Sequence, residues 1–330
     1  AGLDFTPYRT AKPFTSQRNN PPWTLAATWA DAALGDDVVA EARALGADVV
    51  VVDCLLPGAM AALARAGIRY VVLEHMFDGF LQVLRRGPAG GLVRLNGVRW
   101  GDALDGAATR LVASLPSVDP AARRTLPSNL EYVGPIVAGV PAAPGEPAVL
   151  VSLSTYAYAG MPTYAYAGMP AVVQRIVDAC ADLPARVIVT TGPVVDPDGL
   201  RLPTNAEAHR WLPHAEVMPR VSMVVGHGGH STTMLALAHD LPVLVIPMFL
   251  LVDQPMVGKA LESAGAGRRL PKRAPARAIR PVVEELLGAG AHRDAAAGLG
   301  AEIRDASGAE TAAARIAALV SEGAVDRPEG

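Results

Sequence analysis

The sequence predicts an α/β protein made of two parallel-sheet domains. Its strands read as continuous apolar runs rich in β-branched residues and without polar alternation, which indicates strands buried on both faces. Those runs alternate with helical stretches, the order from which wound parallel sheets are built. A stretch from Pro135 to Pro147 (PIVAGVPAAPGEP) has no periodicity and divides the pattern in two. At roughly 150 residues per domain, a chain of 330 residues fits the same count. The expected division is a first domain over 1–138, a linker over 139–147 and a second domain over 148–330.

Residues 1–30 are rich in Pro, Thr and Asn and hold no sustained apolar run, so the first regular element is expected as a helix from about Asp31 to Leu45. The first strong strand follows it, from Ala47 to Asp53. Because an open α/β sheet normally begins with a strand, the first domain is expected to lack its first one. Further strands are expected at Tyr70–Leu73, Thr109–Ala113, Ala148–Leu153, Val187–Thr190, Met223–Val225 and Pro242–Ile246. Helices are expected at Gly58–Ala66, Ala171–Ala181, Ser231–Ala238 and Gln254–Ala264, with Ala-rich helices closing the chain. An octapeptide, TYAYAGMP, occurs at Thr155–Pro162 and again at Thr163–Pro170. Its period is far below that of a solenoid repeat, so no fold or function is read from it.

Composition excludes several classes. With 51% hydrophobic and 18% charged residues, each domain can bury a core. A formal charge of −3 gives no basic patch for nucleic acid or an anionic membrane surface. The longest nearly unbroken apolar run, Leu241 to Val252, carries Pro242 and Pro247 and falls short of the ~20 residues a spanning helix needs. Cys54 and Cys180 sit in apolar stretches and read as reduced core residues. No basic start followed by an apolar segment opens the chain, so a cytoplasmic protein is expected.

Open parallel sheets bind ligands beyond the carboxyl ends of their strands. Asp53, His75, Ser154, Thr155, Thr191, Gly192, His227 and Asp253 all fall at or after such ends. The sharpest segment runs from Trp211 to Gln254. A strand enters Gly226, His227, Gly228 and Gly229, and a helix starts at about His230 or Ser231. Glycines let an anion approach the backbone, and the first-turn amides point at it with the positive end of the helix dipole. With the hydroxyls of Ser231 and Thr232, this is a phosphate cradle that needs no metal. It is not a dehydrogenase fingerprint, because position 231 is not glycine.

The series WLPH, VVGHGGHSTTMLALAHDLPVLVIP, DQ and a later AGAG closely resembles the nucleotide-sugar signature of family 1 glycosyltransferases, especially those that decorate actinobacterial antibiotics. The resemblance implies the GT-B fold, two Rossmann-like domains facing a cleft, with the donor on the second. It implies that Trp211 stacks on the nucleobase, with the Leu212 backbone at the base edge. His227, Gly228, Gly229, Ser231 and Thr232 would hold the diphosphate, and Ser154 and Thr155 would reach it from the other side. Asp253 and Gln254 would bind the donor sugar. The plant form of the signature has a ribose-binding glutamate where this chain has Leu235, so a deoxyribose nucleotide, a TDP-sugar, is the expected donor.

The resemblance also makes Asp53 the aspartate that orients a general-base histidine. In the family that histidine follows the first strand, and this sequence shows neither; the first histidine is His75. His75, Phe77, Phe80, Leu81 and Trp100 are expected to line an acceptor pocket. The function implied is inverting transfer of a deoxygenated sugar from a TDP-sugar to a hydroxyl, or an aromatic carbon, of a polyketide-type aglycone. The sugar nucleotide would be a co-substrate, with no cofactor and no metal, and a homodimer is a candidate assembly.

Competing readings are weaker. Asp196-Pro-Asp198-Gly has the spacing of a D-x-D manganese site but the composition of a turn. His209, His214, His227, His230 and His239 lack a ligand-pair spacing for zinc. A nucleotide-sugar 2-epimerase and a non-catalytic homologue that binds nucleotide or a partner enzyme share the same fold.

Overall fold

The computed structural model describes residues 3–12, 14, 21–143, 145–153, 168–193 and 195–325. In the first domain, helices α1 (Pro22–Trp29) and α2 (Ala32–Leu45) precede strand β1 (Val50–Asp53). The α1 helix corrects the expectation that regular structure starts near Asp31; Pro22 stands in its first turn, where its missing N–H costs nothing. Asp31 caps α2 by accepting from the Ala33 amide at 3.0 Å, and Gly46 ends it in the left-handed region. Strand β2 (Tyr70–Glu74) follows α3 (Pro57–Arg65), and β3 (Thr109–Val112) follows α4 (Asp78–Arg86), α5 (Pro88–Leu95) and α6 (Trp100–Asp105). With β4 (Leu130–Tyr132), these make a parallel sheet in the order β1-β2-β3-β4. Each new strand is added on the same side.

The second sheet is wound in both directions. Its elements are β5 (Ala148–Ser152), α7 (Met169–Cys180), β6 (Arg186–Thr190), β7 (Ala206–His209), α8 (His214–Val217), β8 (Met223–Gly226), α9 (His230–Ala238), β9 (Val243–Val245), α10 (Gln254–Ser263) and β10 (Gly267–Arg269). The order is β10-β9-β8-β5-β6-β7, all parallel. Winding therefore reverses between β5 and β8, whose ends are in register at Ser152 and Gly226. Such a reversal opens a crevice beyond the strand ends. Strand β7 escaped the sequence reading because AEAH is short and half polar, and β10 because GRR has no apolar run.

Helices α11 (Ala276–Leu287), α12 (Ala291–Ala306) and α13 (Gly308–Val325) close the chain. The last returns to the first domain, where Ala312 and Leu319 pack with Val71, Leu111 and Val133. Arg315 pairs with Glu131 at 3.0 Å. One hydrophobic cluster runs from Ala26 and Leu104 in the first domain to Leu237 and Ile303 in the second. The linker is held as well: Ala142 and Ala143 donate their amides to the His239 and Pro219 carbonyls, each at 3.0 Å. Among the described residues no helix is long and apolar enough to cross a membrane.

Candidate active site

The strand ends of the two sheets meet. On the second domain, β8 delivers the chain into the His227-Gly228-Gly229 turn, and Gly229 stands at the N-cap of α9 without a side-chain cap. The first-turn amides of α9 thus have no capping side chain, which leaves them to a ligand anion. Gly228 has φ +86°, and a Cβ there would lie 2.7 Å from Val245 Cγ1 and 2.9 Å from the Gln254 carbonyl. No other residue fits both the torsion and the space. Ser231 is exposed and Thr232 is partly so, placing both hydroxyls at the mouth of the turn. His227 is buried under it, and burial pushes its pKa down to about 4, so it is neutral and able to hydrogen-bond without carrying charge.

Trp211 follows β7 with 65% of its surface exposed, an open aromatic face beside the cradle's sheet. Leu212, next to it, packs on the main core. Asp253 precedes α10, and burial raises its carboxyl to about 6. Gln254 is buried, and its Oε1 accepts the Met248 and Phe249 amides at 2.8 and 3.0 Å. That oxygen shapes the loop before Asp253, so a role for Gln254 at a donor sugar falls to its amide nitrogen. Ser154 and Thr155, like most of the octapeptide repeat, lie outside the described residues. Asp196 pairs with Arg210 at 2.9 Å beside a short 3-10 turn, the arrangement of a structural bend.

The first domain brings two expected residues together. Asp53 ends β1 and His75 follows β2; His75 Nε2 lies 3.1 Å from Asp53 Oδ2, with 46% and 44% of their side chains exposed. Asp53 Oδ1 accepts the Leu55 amide at 2.8 Å, which turns the other oxygen toward the imidazole. Burial opposes ionisation of Asp53, but the His75 hydrogen bond and charge hold its carboxyl below the usual range. The same hydrogen bond raises the His75 pKa against the effect of burial. Cys54 completes a group whose ligand atoms lie within 4.8 Å of one another, but burial drives its thiol well above the usual value. The thiolate a metal would need is therefore disfavoured.

The other expected acceptor contacts are corrected. Phe77, Phe80, Leu81 and Trp100 are 1%, 9%, 0% and 3% exposed and belong to the core. They face inward because the helical segments that carry them bury one apolar face. Trp100 donates its indole N–H to the Cys54 carbonyl at 3.1 Å and packs on Trp29. Phe77 meets His230 of the second domain edge-on, with centroids 5.4 Å apart.

Two groups were not anticipated. His230, at the start of α9, bonds Ser114, just after β3, at 3.1 Å, a buried contact joining the domains. Burial lowers the His230 pKa to about 4, so the contact is between neutral groups. Behind His75 lies an ion cluster: Arg110 bonds Glu74 at 2.7 Å and Asp78 at 2.6 Å, all three buried. Asp119 accepts the Asp78 amide at 2.7 Å and the Tyr132 hydroxyl at 2.9 Å. The signal was present, since Arg110 and Glu74 interrupt apolar strand runs, where a charge demands a partner.

Two facing parallel-sheet domains, the second with a glycine turn and a helix start at its switch point, define the GT-B architecture. Residues 174–319 match the family described as erythromycin biosynthesis protein CIII-like, C-terminal domain, which covers most of the second domain. The chain is 27% identical over 151 residues to the NDP-glycosyltransferase YjiC of Bacillus subtilis, 45% of this chain and 38% of that protein. It thus spans well under half the length of that relative. The calicheamicin glycosyltransferase CalG4 superposes with a TM-score of 0.71 at 24% identity, covering 91% of this chain and 80% of that one. The glycosyltransferase VinC, solved in complex with dTDP, superposes at 0.68 with 20% identity, covering 91% and 79%. The fold is GT-B, and the proteins this chain is similar to are glycosyltransferases, several of them from antibiotic biosynthesis.

Proposed function

We propose that the protein is an inverting, metal-independent glycosyltransferase that moves a sugar, expected to be deoxygenated, from a TDP-sugar to a hydroxyl of a polyketide-type natural product. The observation that carries this reading is the cradle at the β5/β8 reversal. Its glycine turn and helix start present amides to a diphosphate, with Trp211 open on one side for a base and Asp253 on the other for a sugar. As the anomeric C–O bond breaks, negative charge grows on the diphosphate. Donors already aimed at that position are worth ~2.7–4 kcal/mol each in a dry cleft. Backbone amides neutralise that charge, so the transfer needs no metal and no cofactor. The VinC complex with dTDP supports the nucleotide, and Leu235, in place of a carboxylate, supports a deoxyribose over a ribose.

Isothermal titration with TDP and UDP tests the nucleotide choice: TDP is expected to bind at least several-fold tighter, and equal affinities would remove the argument from Leu235. For transfer, the protein is incubated with TDP-sugars and a panel of polyketide aglycones, and product is followed by mass spectrometry. Nucleotide binding without product across the panel would favour a non-catalytic homologue.

A further inference from the structure

The net charge of −3, from which no basic patch is expected, hides an uneven distribution. Between Gly79 and Gly101 the chain carries four arginines, Arg85, Arg86, Arg94 and Arg99, and no acidic residue. These positions fall on α4, on α5 and just before α6, and the neighbouring α1 has no charged residue at all. We infer that the solvent-facing side of α1, α4 and α5 is a docking surface for an anionic lipid bilayer, on which the protein lies without crossing it.

The packing puts the relevant groups on one side. Helix α5 packs against both α1 and α4, and the three helices bury Ala26, Val93 and Phe80 in the main core. Their opposite faces are open and carry large apolar side chains: Trp23 is 66% exposed, Val83 58% and Leu95 83%. Arg86 is exposed one helical turn after Val83, Arg94 is exposed beside Leu95, and Arg99 is exposed beyond the end of α5. Among the described residues neither Arg86 nor Arg94 forms an ion pair. Arg99 meets Asp102 at 3.9 Å with both side chains 71% open, and a pair so exposed is readily exchanged for another anion. Arg85 is half-buried and donates its Nε to Gln82, so it adds charge from behind the surface rather than contact.

Charge and apolarity together select the partner. The unpaired arginines call for negative charge, and the guanidinium fork matches phosphate oxygens in pairs. A nucleic-acid backbone supplies phosphates but no apolar phase for Trp23, Val83 and Leu95. A layer of anionic headgroups above acyl chains accepts both. A second copy on a two-fold axis would set the same arginines against one another, because such an interface uses one patch on both subunits. Among the described residues no helix is long and apolar enough to span a bilayer, so the association is peripheral. None of these side chains belongs to the cleft, and the inference stands whether or not the protein transfers a sugar.

Sedimentation of the full chain with vesicles of phosphatidylcholine, or of phosphatidylcholine mixed with phosphatidylglycerol, tests it. At low salt, partitioning is expected to be about ten-fold or more stronger onto the mixed vesicles, and to be largely lost near 1 M salt, where the Debye length is ~3 Å. Replacing Arg86→Gln and Arg94→Gln together should cost about five-fold for each arginine. Trp23→Ala with Leu95→Ser should weaken binding about ten-fold, whereas Trp23→Phe should keep it but lose the blue shift of tryptophan emission on vesicle addition. All four positions are exposed, so melting temperatures are expected to stay at the parent value and show that the variants fold. Equal partitioning onto the two kinds of vesicle would overturn the inference. So would anionic-lipid binding that survives the double arginine substitution, or a blue shift that persists in Trp23→Phe, because another surface would then meet the bilayer. Binding to duplex RNA that exceeds vesicle binding and is lost with the two arginines would overturn it in favour of nucleic acid. A dimer in light scattering that Leu95→Ser disperses would overturn it in favour of a second copy.

Discussion

The strand ends of the two sheets face the same cleft but are built from different materials. In the first domain the groups at that edge are titratable side chains: Asp53 and His75 open to the cleft, with Glu74, Asp78, Arg110 and Asp119 buried behind them. In the second the edge is mostly backbone, a glycine turn and a helix start, with His227 and His230 held neutral by burial. Topology accounts for part of this. The second sheet, wound in both directions, opens a crevice lined by helix starts beyond β5 and β8. Amides can stabilise a charge as it develops; titratable side chains can move a proton.

Removing charge from the first domain is expected to have the largest effect. Arg110→Ala would strand two buried carboxylates, and breaking such a cluster costs about 3–5 kcal/mol, to be read from urea unfolding. If stability falls by less than about 1 kcal/mol, the cluster does not anchor the His75 turn. A smaller loss is expected from backbone strain in the second domain. Gly228→Ala meets both a positive φ and two contacts under 3 Å, for about 1–3 kcal/mol, and should weaken TDP binding about tenfold or more while leaving the His75 titration alone.

Among the described residues, Asp253 is the one strongly shifted carboxyl on the backbone-built side. Its folded pKa, raised to about 6 by burial, lies above the unfolded value. The stability this shift contributes is complete below about pH 4 and is lost as pH rises through about 6. Asp253→Asn should therefore raise the melting temperature at pH 8 but not at pH 4, with a gain below about 3 kcal/mol. It should also impair sugar transfer more than TDP binding. Equal melting temperatures at pH 8 would mean that the carboxylate is stabilised by its site, making the two edges more alike than described. The smallest effect is expected where the edges touch. Ser114→Ala removes one neutral hydrogen bond to His230, for about 1 kcal/mol, visible in thermal unfolding without a change in the acid limb of turnover.

Legibility in the sequence followed the same division. The turn between β8 and α9 could be read directly, because a strand followed by glycines and a helix is a local pattern. The strands β1, β2, β3, β5, β6, β8 and β9 were likewise visible as apolar runs. The acceptor side was read less well. Phe77, Phe80 and Trp100 looked like lining, yet the same apolar character that suggests a pocket also suits a core, and only packing distinguishes the two. Asp53 and His75 each fall at a strand end in the sequence, but only the structure brings them to 3.1 Å.

By itself, the sequence determined the α/β class and the strand, glycine turn and helix that run through Gly226–His230. Each depends on composition or on neighbours along the chain. The tertiary structure alone decided the reversal between β5 and β8, the return of α13 to the first sheet, the Asp53–His75 pair, and the Ser114–His230 contact, which joins residues 116 positions apart. The reason is physical: a strand end has no partner until its sheet forms, and side chains far apart along the chain acquire a distance only when the cores beneath them close.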